Sequence, residues 1–184
     1  MELRTDRLLL RRWRAADRAP FGRLNADPEV MRWFPSPLSR QDSDALAERI
    51  EAGFAERGWG LWALEERASG RFLGFTGLSP VGFDAPFAPA VEIGWRLARE
   101  AWGSGFATEA GLAAAACAFG ELGLTQLVSF TVPDNVRSRA VMERLRFVHD
   151  PAEDFDHPLL PPGDPLRRHV LYRASATTWR APAG

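Results

Sequence analysis

Residues 91–110 read V-E-I-G-W-R-L-A-R-E-A-W-G-S-G-F-A-T-E-A, an apolar strand-like run that passes through a glycine-bearing turn into the start of a small-residue helix. Gly103 and Gly105 bracket Ser104, so the backbone there is free to take positive φ and to approach a ligand closely. The first N–H groups of the following helix have no intrahelical acceptors and point outward, and a phosphate fits against them. Turn glycines that only pack a helix onto a sheet produce the same pattern. Better-known phosphate motifs do not match. A P-loop needs Gly-Lys followed by Ser or Thr, and the chain contains no lysine. A dinucleotide fingerprint needs a third small residue where Thr108 stands and an acidic residue about twenty positions further on. A nucleotide-binding α/β domain is therefore a disfavoured rival.

A second strand–turn–helix unit follows. Gln126–Val132 is β-branched and apolar, Pro133-Asp134 make the turn, and Asn135 stands where an N-cap would, with Ser138 at the third helical position. Val136, Ala140, Val141 and Leu145 supply apolar positions at helical spacing. Upstream, a first strand is expected near Leu8–Trp13, helical segments near Ala15–Asn25 and Ser39–Ala55, and strands near Leu61–Glu65 and Phe72–Leu78. Ser79–Pro89 and Pro158–Pro165 are too proline-rich for regular structure and read as loops over the acceptor side.

At 184 residues the chain suits a single domain spanning 1–184. Its formal charge of −1 creates no field that would favour nucleic acid or an anionic membrane, and the Arg11-Arg12-Trp13-Arg14 cluster reads as one solvated strand edge. The N-terminus has no continuous hydrophobic stretch of the signal-peptide kind, and no run approaches the ~20 apolar residues of a membrane span, so a cytoplasmic protein is expected. Cys117 shares a helical face with Phe106, Ala110 and Ala113, which favours packing over a catalytic thiol. His149, His157 and His169 fit no zinc spacing, and no metal is expected.

Taken in order, these blocks resemble the Gcn5-related N-acetyltransferase superfamily, in the branch similar to the ribosomal-protein N-terminal acetyltransferases. The matching residues are Leu3–Arg11 with Trp13 and Asp17; Asn25–Phe34; the Trp102–Ala110 turn; Asn135–Ser138 with Leu145-Arg146-Phe147; and His169–Arg173 with Trp179. The resemblance implies an α/β fold whose mixed, mostly antiparallel sheet splays between the Val91 and Gln126 strands and is flanked by helices. It implies acetyl-CoA as co-substrate, with Trp102, Gly103, Ser104, Gly105, Phe106, Ala107 and Thr108 around the pyrophosphate. The strand residues Ile93, Gly94, Trp95 and Leu97 would lie beside the pantetheine arm, with an N–H of that strand at the oxyanion. Asn135 would meet the pantetheine amide.

The chain also departs from the superfamily pattern. Trp102 opens the turn where Gln or Arg is common elsewhere, Arg146 stands where many relatives have glycine, and the only tyrosine, Tyr172, lies in the last strand rather than after the second helix. Tyr172 is therefore given no role as proton donor.

Acetyl transfer to an amine needs the amine neutral. A lysine-type amine near pKa 10.4 is almost wholly protonated at neutral pH, whereas an α-amine near 8 is not. Glu92 is the expected base, by analogy with related enzymes, provided burial raises its pKa; an ordinary strand-edge ion pair is its alternative. Ser138 is the expected donor to the departing thiolate, or a plain first-turn residue. Trp33 and Phe34, beside Pro35, are expected to wall the acceptor pocket. The acceptor is a protein or peptide N-terminus or a small-molecule amine, and a homodimer is compatible with this reading. A coenzyme-A-binding sensor or scaffold without turnover is the alternative function.

Overall fold

Hydrophobic runs and their breakers set the element boundaries. The computed structural model describes residues 1–181, which form two compact units; the chain passes from one to the other within the strands Phe72–Pro80 and Val91–Leu97 and within the helix Phe106–Gly120. The first comprises Met1–Leu78 with Gly94–Ala114, and the second Ser79–Ile93 with the chain from Ala115 onward.

In the first unit, β1 (Leu3–Arg4), β2 (Leu8–Arg11), β3 (Leu61–Glu66) and β4 (Phe72–Pro80) pair antiparallel in sequence order. Between β2 and β3 the chain makes a 3-10 turn at Ala15–Asp17 and two helices, α1 (Arg18–Ala26) and α2 (Arg40–Arg57). Helix α2 starts where Ser39 accepts from the Asp42 N–H (3.1 Å) and stops at Gly58, whose φ of 80° a glycine adopts without strain. Phe21, Leu24, Val30, Ala47 and Phe75 form the core over this sheet, with Trp13 and Trp102 packed against it.

The cluster expected as a solvated edge is otherwise arranged. Arg11 is buried, and its guanidinium binds both Asp17 oxygens (2.7 and 2.9 Å) and Glu65 (2.7 Å), while Arg12 and Arg14 alone point outward, toward Glu51 and Glu65. An apolar strand can hold an inward arginine only if carboxylates meet it there.

The second unit is built on β6 (Gln126–Thr131) and β9 (Arg168–Ser175), a long antiparallel pair, with β7 (Val148–His149) and β8 (Phe155–Asp156) added to β9. The first residues of β5 (Val91–Leu97) run parallel to β6, in register at Glu92 and Val128, within a mostly antiparallel sheet. Phe87, Val128, Phe155 and Leu171 form this unit's core. Helix α3 (Phe106–Gly120) runs through both units, and α4 (Val136–Arg144) belongs to the second.

The expected elements are present, with differences at their ends. β2 stops at Arg11 rather than Trp13, and the expected Ala15–Asn25 helix opens as a 3-10 turn. β4 continues through Ser79 and Pro80, two residues read as loop. A proline is tolerated there because it closes the strand. The 158–167 segment is irregular, as its prolines require.

Candidate active site

The turn ahead of α3 has the backbone that its glycines predict. Gly103 and Gly105 lie at φ 75° and 78°, and the Glu109 N–H closes the first helical turn on Gly105 O (3.0 Å). The preceding N–H groups thus have no intrahelical acceptor and are available to an anion. A Cβ on Gly103 would meet nothing within 4 Å, and one on Gly105 would meet only an Arg7 nitrogen at 3.5 Å, so the turn faces open space. Trp102 is not a phosphate ligand through its ring: its indole N–H donates to Leu97 O (2.9 Å) and the ring packs on the core.

Sequence reasoning missed what holds this turn in place. Arg7 donates to Ser104 O (2.8 Å), lies 4.8 Å from the Phe106 ring centroid, and pairs with Glu109 through Nε–Oε2 (2.6 Å). Glu109 also accepts from Thr5 Oγ1 (2.6 Å) and from the Arg7 N–H (3.0 Å). Burial works against ionisation of Glu109, but the bonds from Thr5 and then Arg7 outweigh it and hold the carboxyl below its usual range. The only sequence signal was an acidic residue in a helix's first turn.

In the second unit, Glu92 begins β5 partly buried, and among the described residues its carboxylate has no hydrogen-bond or ionic partner. Burial alone pushes its pKa up to about 8. The strand-edge ion pair is therefore absent, and the group is poised to exchange a proton near neutral pH.

Asn135 caps α4 as expected: its Oδ1 accepts from the Ser138 N–H (3.3 Å), and its Nδ2 donates to Thr131 Oγ1 (3.0 Å), leaving one amide hydrogen. Ser138 is half-buried with no recorded hydrogen bond to its hydroxyl. Tyr172 is buried, its OH donating to Glu143 (3.1 Å) and accepting from Arg139 (3.3 Å), with its ring stacked on His149. Arg146, the departure from glycine, takes the glycine conformation: φ is 62°, and the Phe147 and Arg146 N–H groups close on Met142 O (3.1 Å) and Glu143 O (2.9 Å), a Schellman end to α4.

Trp33 and Phe34 lie between α1 and α2, Phe34 being 38% exposed. The Arg32 guanidinium lies over Trp33 (4.9 Å to the ring centroid) and that of Arg96, from β5, over Phe34 (4.1 Å). Cys117 is buried, and burial, with Glu121 adding to it, pushes its thiol up to about 11, which leaves it inert as a nucleophile. His149 pairs with Asp154 (2.8 Å), and His157 and His169 sit among Phe83, Phe130 and Phe155. Among the described residues no group of three or more His, Cys, Asp or Glu side chains is arranged to hold a metal ion, and no helix is long and apolar enough to cross a membrane.

A strand, a positive-φ glycine turn and a helix N-terminus thus follow one another on a mixed, mostly antiparallel sheet. Residues 7–148 match the model of the acetyltransferase (GNAT) domain, and the chain belongs to that family of acetyl-CoA-dependent acetyltransferases. The uncharacterized protein YkkB of Bacillus subtilis is 32% identical over 148 residues, 78% of this chain and 83% of that one. A solved acetyltransferase from Agrobacterium tumefaciens superposes with a TM-score of 0.75 at 30% identity, over 95% of this chain and 94% of that chain. The fold is shared with Mycobacterium smegmatis RimJ in complex with CoA-disulfide, at TM-score 0.74 and 22% identity, covering 96% and 87% of the two chains. A ribosomal-protein-serine acetyltransferase structure from Vibrio cholerae shares the fold as well, at TM-score 0.76 and 17% identity over 95% and 97% of the two chains, so such enzymes are among its structural neighbours, as the resemblance implied.

Proposed function

We propose that the chain moves an acetyl group from acetyl-CoA to a primary amine, on a peptide N-terminus or a small molecule, and that residues 1–184 act as one domain. The observation that carries this is the Gly103–Gly105 turn, whose two positive-φ glycines open onto free space at the start of α3. Trp102 to Thr108 would cradle the pyrophosphate by backbone N–H groups. Ile93, Gly94, Trp95 and Leu97 would offer strand-type hydrogen bonds to the pantetheine amides, and Asn135 its remaining amide hydrogen.

Glu92 would take the proton of the incoming ammonium. Its raised pKa lessens the mismatch with an amine, because proton transfer is most effective between groups of similar pKa. The neutral amine then attacks the thioester carbonyl carbon to give a tetrahedral intermediate; as it collapses the C–S bond breaks, the Ser138 hydroxyl gives its proton to the leaving sulfur, and the proton shed by the attacking nitrogen restores the hydroxyl. Trp33 and Phe34 would line the acceptor side.

The test is a melting curve and a thiol-release assay on the same protein. Acetyl-CoA at about 100 times its Kd adds ~2.7 kcal/mol, a rise of roughly 5–10 °C for a chain of this size. Thiol released only in the presence of an amine establishes transfer. A melting shift without release for any amine of a broad panel identifies a coenzyme-binding module instead, and a shift with NAD but none with acetyl-CoA rejects the reading.

A further inference from the structure

Two arginines of the first unit point from strands into its interior, and they are treated differently. Arg11 meets Asp17 and Glu65. Among the described residues Arg96 meets no carboxylate: its Nη1 donates to Asn25 Oδ1 (2.7 Å), a neutral acceptor, and its Nε is out of contact with solvent and without a hydrogen-bond partner. The guanidinium plane is covered by Phe34 at 4.1 Å and by Phe75 at 5.5 Å.

Asn25 cannot turn away from it. Asn25 is fully buried, its Nδ2 donates to the buried Ser43 Oγ (2.9 Å), and its backbone carbonyl accepts from the Leu38 N–H (2.8 Å). Arg96 is thus a half-buried cation held by Asn25 over two rings, with Nη2 making no hydrogen bond among the described residues. Burial lowers its pKa to about 10, far enough above neutrality that the charge remains. A partly desolvated charge without a counter-ion gains from one, and a planar guanidinium with a free N–H group matches a carboxylate geometrically.

We infer that Arg96, set by Asn25 and lying over Phe34 and Phe75, binds a carboxylate of the amine acceptor, so that the enzyme selects amines that carry one. This rests on the acetyltransferase reading above. The Phe34 loop makes the acceptor the source of the anion; a coenzyme phosphate is the competing source.

The experiment uses pairs of acceptors that differ by one carboxylate, compared at equal concentrations of neutral amine: aspartate against asparagine and glutamate against glutamine as the first residue of amidated dipeptides, and 4-aminobutyrate against 4-aminobutanamide. The assay records kcat/KM by thiol release, with acetyl-CoA affinity measured on the same samples. Wild type is expected to favour the acid of at least one pair by tenfold or more. In Arg96→Gln the acid-to-amide ratio should fall toward one, with acetyl-CoA affinity retained. Asn25→Asp guards against misfolding, since it keeps shape and the Ser43 contact but gives Arg96 an internal counter-ion. It should lower the same ratio.

Equal kcat/KM for acid and amide in every pair overturns the inference and leaves acetyl transfer standing. A ratio unchanged in Arg96→Gln, with acetyl-CoA weakened tenfold, overturns it in favour of the coenzyme phosphate. Acetyl-CoA binding without thiol release from any member overturns the transfer reading and this inference with it.

Discussion

Arg7 and Glu109 lie 102 residues apart and are joined at both backbone and side chain, the Arg7 N–H and Nε each reaching a different oxygen of one carboxylate. The same arginine holds Ser104 O, so the N-terminal segment clamps the turn proposed to bind pyrophosphate. Glu109→Ala should lower stability by about 1–3 kcal/mol, the range for losing hydrogen bonds to a charged acceptor, and should also weaken acetyl-CoA. The pKa of Glu109 is depressed in the folded state, so its stabilisation is present above the ordinary glutamate pKa and is lost as pH falls through the folded value. Acid titration of melting temperature should therefore fall less steeply in the variant. Equal acid slopes would show that the clamp adds nothing.

For Glu92 the sign is opposite. Its folded pKa, about 8, lies above the unfolded value, so the folded protein holds an extra proton between them. Stability from this group is fully present below about pH 4.5 and declines as pH rises toward 8. Glu92→Gln should flatten that decline. Activity runs the other way, since a base must be deprotonated: kcat/KM should rise with pH up to about 8 in wild type. In Glu92→Gln turnover at neutral pH should fall by about 10²–10⁴, with the loss shrinking as pH approaches the amine pKa and acetyl-CoA affinity kept. Turnover unchanged in Glu92→Gln would remove the residue from the mechanism, and Ser138→Ala would then be the more informative change.

Gly105 and Gly70 allow strain to be separated from ligand approach. Both have positive φ (78° and 70°), and a Cβ on Gly70 meets nothing within 4 Å. Alanine at either position should destabilise the fold by roughly 1 kcal/mol. Only Gly105→Ala should also weaken acetyl-CoA, and Gly105→Val should do so by tenfold or more, about 1.4 kcal/mol. Identical coenzyme affinities in folded Gly105→Val and wild type would mean that the phosphates bind elsewhere.

Arg146 is exposed and holds a left-handed conformation at the end of α4. Arg146→Gly should raise stability by about 0.5–1 kcal/mol, or roughly 1–4 °C. A β-branched residue tolerates that angle less well, so Arg146→Val should destabilise. A lower melting point for the glycine variant would refute this account.

Local patterns were legible in the sequence, and pairings between distant residues were not. The Gly103–Gly105 turn, the Asn135 cap and the α2 boundaries follow from residues within one helical turn of each other. β7 and β8 have only two residues each and exist because β9 supplies their partners, so no periodicity announces them. The burial of Arg11 depends on Glu65, 54 residues away, and the clamp on the coenzyme turn depends on Arg7 finding Glu109. The departure at Arg146 was visible, but the conformation it keeps was not, because the Schellman bonds around it are made by backbone.

The boundaries between the two units fall at Leu78/Ser79, Ile93/Gly94 and Ala114/Ala115, inside β4, β5 and α3. None of the three crossings is a linker. A protease needs extended, exposed backbone, and these bonds lie inside regular hydrogen-bonded elements. Recombination meets the same obstacle: a segment exchanged at any of these boundaries would have to complete another protein's strand or helix in register. The two units can therefore diverge residue by residue, but they cannot be inherited separately.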